Sequence, residues 1–196
     1  MLFESLFGTR FSKLENRISR HITNLDRAVK ASDSERVKEI VDDLVNDFKR
    51  LDTFAKHHTS FILQLSGFLN HEKRQKAIET YELTHSLQVI EEDLKAINQA
   101  LNAIRLQAKV KAQTLPNATN YTRAHASAKD FFDNTYKPQM KLIEARCRAA
   151  DQNITKVNTF CLSNDLSKTG YRRASEIHEI RETLGKIEKE IDELKD

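Results

Sequence analysis

The residues of this chain that could do chemistry are few, and their spacing tests three kinds of site. A di-metal centre in a helical bundle takes a Glu from each of two helices and a Glu-x-x-His from each of two others. The sequence holds one Glu-x-x-His, Glu82 to His85, which a Glu-rich chain with seven histidines carries by chance. His57 and His58 are adjacent, so on a helix they point roughly 100° apart and do not face one ion. Glu35, Glu39, Asp43 and Asp47 recur every four residues. Carboxylates at that spacing can share a hard cation, and Glu188 with Asp192 offers one more such pair. Arg36, Lys38, Lys49 and Arg50 flank the row, so it reads as a solvated acidic face or a docking surface for a basic band. No metal or other cofactor is expected first; a metal-binding helical bundle, resting on the carboxylate row and on Glu82 with His85, is the third reading of the chain.

Covalent chemistry has a thinner basis. Cys147 lies between Arg146 and Arg148, and neighbouring cations lower a thiol's pKa where the thiol is exposed. Its heptad position points inward, however, and no nearby His supplies a base. Cys161 follows fourteen residues later on the same expected helix, about 21 Å away at 1.5 Å per residue, beyond the reach of a disulfide. There is no glycine-rich phosphate loop, no Gly-x-Ser-x-Gly and no Cys-x-x-Cys. A non-enzymatic protein is expected.

The elements that position these residues are long helices. Only four glycines and two prolines occur in 196 residues, against typical usage near 7% and 5%, so turns are rare. The expected fold is all-α: an elongated antiparallel bundle of about five helices, three of them long, with coiled-coil character. The first helix begins near Leu2 or Thr9, with Gly8 a joint, and runs to Lys30 on the apolar stripe Phe11, Leu14, Ile18, Ile22, Leu25 and Val29. Ala31 to Ser34 supplies a turn and N-cap oxygens. The second spans 34–69 with three adjacent apolar lines, interrupted by His58 and Asp47, which need partners if buried. The third runs from a polar break at 70–73 to about Gln113, with a strict seam from Leu83 through Leu94 and Leu101 to Ala108. Leu115 to Asn120 is the clearest loop. The fourth helix covers about 120–160, and its apolar stripe changes phase near Pro138, which predicts a kink or break at Tyr136–Pro138. Residues 1–163 are expected to form the bundle with its amphipathic N-terminal helix, and 164–196 a loop and a coiled-coil helix, packed on the same domain or projecting.

The last helix, 171–195, is the most regular segment. Ile177, Ile180, Leu184, Ile187, Ile191 and Leu194 alternate three and four apart. In that frame Glu176 and Glu190 fall at position g and Arg181 and Lys195 at position e of the following heptad, an attractive pattern for a parallel pair. These residues are the expected self-association surface, making a protein partner, chiefly a second copy, the first expectation.

The amino terminus carries the other interaction signal. Leu2, Phe3, Leu6 and Phe7 cluster ahead of Phe11, and Arg10, Lys13, Arg17, Arg20 and Arg27 run beside the apolar stripe. Bulky apolar side chains flanked by cations suit an anionic membrane surface, with Leu2, Phe3, Leu6, Phe7, Arg10, Lys13, Arg17 and Arg20 as the contact. Residues 1–30 hold six Lys or Arg against three acids, yet the whole chain is only +3, too little for a nucleic-acid binder that relies on phosphate neutralisation. No membrane span and no export signal are read, so a cytoplasmic protein, in part membrane-associated, is expected. In plan alone the arrangement resembles the membrane-shaping helical proteins of the BAR and ESCRT-III types; no motif is shared residue by residue, and no site is carried over.

Overall fold

The computed structural model describes residues 2–69, 84–118 and 120–163, with side chains over 11–63, 66, 88–118 and 120–153. Residues Met1–Asn153 form one compact unit and Ile154–Asp196 a second; the architecture below is that of the first. The protein is an all-α bundle of four helices of comparable length, each packed mainly on its neighbours. The helices are α1 (Leu2–Lys30), α2 (Ser34–Leu69), α3 (Thr84–Thr114) and a fourth rod made of α4 (Tyr121–Phe131), a π turn (Phe132–Tyr136) and α5 (Lys137–Ser163). The fifth helix expected over 171–195 lies outside the described residues. The helix is unbroken through Gly8, so the expected joint is absent.

Side-chain contacts fix the direction of each helix. Asp52 meets Arg105, and Ile62 lines one groove with Leu94, so α3 runs against α2. Lys111 meets Ser127 and Asp93 meets Arg146, so the fourth rod runs against α3. Tyr136 reaches Phe11 of α1, and Phe48 of α2 meets Phe131 of α4 edge-on, with ring centroids 5.1 Å apart.

The turns explain the boundaries. After α1, Asp33 N–H donates to the Ala28 carbonyl and Ser32 N–H to that of Val29, both at 3.1 Å. That is a Schellman ending, and it places Ser32 at φ 56°, where glycine is the favoured residue. Asp33 then caps α2, its carboxylate accepting from Arg36 N–H at 3.0 Å. At the other link Pro116 sits in a 3₁₀ turn whose Leu115 plugs the core, and the Asn120 side chain accepts from Thr122 N–H at 2.8 Å to start α4.

The expected break at Tyr136–Pro138 is replaced by the π turn. Lys137 N–H bonds back to the Phe132 carbonyl, five residues earlier, which fits one extra residue into the helix without ending it. The buried residues on this rod are Ala124, Ala128 and Phe131 before the turn, then Phe132, Tyr136, Met140, Ile143, Cys147 and Ala150. The phase change visible in the sequence is that extra residue. Pro138, exposed, lies just beyond the widened turn, where the usual clash with the carbonyl four residues back is relieved.

Candidate functional site

Titratable side chains converge inside the described bundle at the seam between α1 and α2. Its centre is Asp47, fully buried on α2. The Arg17 Nε of α1 lies 2.8 Å from Asp47 Oδ1, and the His21 Nδ1 lies 2.9 Å from Oδ2. The Arg17 contact is an ion pair without hydrogen-bond alignment, leaving Oδ1 with no hydrogen bond. His21 Nε2 is 3.8 Å from Asp43, at the exposed rim. Burial pushes the Asp47 carboxyl above its ordinary range; Arg17, His21 and Arg50 pull the other way without overcoming it.

The carboxylate row read from the sequence is therefore not a single solvated face. Glu35, Glu39 and Asp43 are exposed and Asp47 is inside. Residues four apart advance about 40° around a helix at each step, so the fourth member of the row has turned some 120° from the first. Glu39 is paired with Arg36 at 2.7 Å. Among the described residues no group of three or more His, Cys, Asp or Glu could hold a metal ion.

Polar ties recur between the other helices. On α3 Asp93 is 1% exposed and accepts from Arg146 of α5 at 2.9 Å, while its second oxygen has no hydrogen bond. Arg105 of α3 bonds Asp52 of α2 at 3.1 Å. Cys147 is buried, and burial with Asp151, Asp93 and Glu144 nearby drives its thiol far above the ordinary range, the opposite of an activated nucleophile. His58 is buried too. Its Nδ1 is 2.8 Å from the Phe54 carbonyl, and its ring meets Phe11 edge-on at 5.2 Å. These geometries orient helices; none sets a nucleophile beside a base.

The sequence-derived interaction residues divide sharply. Ile177, Ile180, Leu184, Ile187, Ile191, Leu194, Glu176, Arg181, Glu190 and Lys195 lie outside the described residues, as does Glu82. Leu2, Phe3, Leu6, Phe7 and Arg10 belong to α1. Lys13 and Arg20 are exposed, whereas Arg17 is turned to Asp47. The seam of α3 is buried from Ile90 through Leu94, Ile97, Leu101 and Ile104 to Ala108. Sequence reasoning missed the Asp93–Arg146 tie. Its signal was an acid one position from Leu94 in the apolar seam. A shallow groove of about 260 Å³ lies between α2 and α3, floored by Ile62 and Leu94 and rimmed by Leu63, Glu91 and Lys95.

Comparison with known proteins gives no match: no family model, no curated protein and no solved structure is similar to this chain. What the fold defines is an all-α domain whose described residues carry no catalytic or metal-binding constellation.

Proposed function

We propose that this is a non-enzymatic cytoplasmic interaction protein that acts by helix-against-helix binding and associates with copies of itself through 171–195. The observation that carries the reading is the alternating aliphatic spacing from Ile177 to Leu194, flanked by Glu176, Arg181, Glu190 and Lys195 in attractive register. In support, the buried Asp47 and Asp93 and the half-buried Asp52 are each engaged by a cation of a neighbouring helix of the described bundle.

Light scattering on the full chain tests it. A multimer is expected, and Ile180→Asp with Ile187→Asp, which puts charges into the seam, should reduce it to the monomer mass. A wild-type chain that is monomeric at high concentration would defeat the reading. A second reading, contact with an anionic membrane surface, is favoured by the exposed cations Lys13, Arg20 and Arg27 of α1, which among the described residues no acid of α2 or α4 engages in the way Asp47 engages Arg17.

A further inference from the structure

We propose that the solvent-facing ridge of α1, formed by Lys13, Arg20 and Arg27, docks the intact bundle onto an anionic lipid surface, with the inner face of α1 remaining in the core. The inference rests on the membrane reading and changes its geometry. An inserting amphipathic helix uses its apolar stripe, but here Phe11, Leu14, Ile18, Ile22 and Leu25 are all buried in the bundle. Arg17 is likewise committed to Asp47. What remains for a membrane is the opposite side of the helix.

That side is unusually uniform in charge. Lys13, Arg20 and Arg27 are exposed and seven residues apart, which puts them in one file with about 10 Å between neighbours. Between them stand Asn16, Ser19 and Thr23, exposed and uncharged. From Phe11 onward, where its side chains are described, α1 has two acids. Asp26 is held by Lys30 at 2.7 Å. Glu15 is half-buried toward the fourth rod, beside Lys137, and burial raises its pKa. Among the described side chains of α1, from Phe11 onward, no acid therefore stands free to cancel the file.

The spacing decides between polyanions. Duplex DNA carries a charge about every 1.7 Å of axis and rewards clustered cations that follow its phosphates; three residues in single file meet few of them. A bilayer presents a diffuse potential that demands no register, and each Lys or Arg near it contributes independently.

The test is co-sedimentation of the full chain with phosphatidylcholine vesicles, with and without phosphatidylserine, at low and raised salt. The wild type should pellet only with phosphatidylserine and release as salt rises. The triple change Lys13→Glu, Arg20→Glu and Arg27→Glu should weaken partitioning by more than about tenfold. A control triple on exposed sites of α2, Lys38→Glu, Lys49→Glu and Lys56→Glu, carries the same net charge and should retain binding; circular dichroism melts verify that both variants fold. Absence of serine-dependent pelleting would overturn both the ridge and the membrane reading. Equal loss in the two triples would overturn the ridge while leaving the membrane reading standing. Ridge-dependent binding to duplex DNA as tight as to vesicles would overturn the choice of lipid.

Discussion

Removing the Asp47 carboxylate tests whether the α1–α2 seam is held by the geometry described. In Asp47→Ala the His21 ring, itself 8% exposed, loses the oxygen at 2.9 Å and is left in the seam without it. Leaving a buried polar group unsatisfied costs roughly 1–3 kcal/mol. Breaking a fully buried ion pair costs roughly 3–5 kcal/mol, but the Arg17 side chain is 30% exposed and can turn its charge to water. The lower range therefore applies, about 2 kcal/mol, which in a chain of this length lowers the melting temperature by roughly 4–8 °C. Asp47→Asn keeps an oxygen for His21 and removes a buried charge, so its loss should stay below about 1 kcal/mol. The pH dependence separates the two effects. Burial holds the folded Asp47 pKa above its ordinary 3.8, so the native state binds that proton more tightly than the unfolded chain. The resulting stabilisation is complete below 3.8 and is lost as pH rises through the raised folded value. Wild type should thus lose stability relative to Asp47→Asn as pH rises from the acid side toward neutrality. Thermal melts of the three proteins across that range are the assay. An Asp47→Ala chain melting with wild type, or an Asn variant as unstable as the Ala one, would refute the seam's energetics; a widening wild-type advantage with rising pH would refute the sign.

Two further perturbations follow from named contacts. Arg146→Met removes the only cation bonded to Asp93 at hydrogen-bond distance among the described contacts, stranding a carboxylate whose other oxygen already lacks a hydrogen bond; urea denaturation should show a loss of about 3 kcal/mol. Adding Asp93→Asn should recover at least half of it, and strict additivity in the double-mutant cycle would contradict the pairing. Ser32→Gly should stabilise the chain by roughly 0.5–1 kcal/mol, since Ser32 is the one described residue other than glycine with positive φ; a loss in the same denaturation assay would show that the Ser32 side chain contributes more than its backbone strain costs.

What the sequence disclosed was periodicity, and periodicity answers to burial alone. The three apolar lines of α2 are buried at Val37, Leu44 and Leu51, at Ile40 and Phe61, and at Val41, Phe48 and Ile62. The start of α2 at Ser34 follows from the Asp33 cap and the turn before it. Where a local rule competed with periodicity, periodicity prevailed. Pro138 suggested a broken helix, yet Phe132 and Tyr136 both enter the core, and an i to i−5 bond reconciles them at the cost of one widened turn. The same competition recast the chemistry. Glu35 to Asp47 looked like one row because a spacing of four is nearly a full turn; the shortfall of about 40° per step accumulates until the last member is inside the bundle. Once inside, Asp47 required a cation from the facing helix, and that took Arg17 out of the basic stripe it shares in sequence with Lys13 and Arg20. No spacing rule within α1 distinguishes Arg17 from its neighbours. The difference arises only when α2 packs against it, so a helix's own sequence tells which face is apolar, and the partner helix decides which of its charges are left to meet anything else.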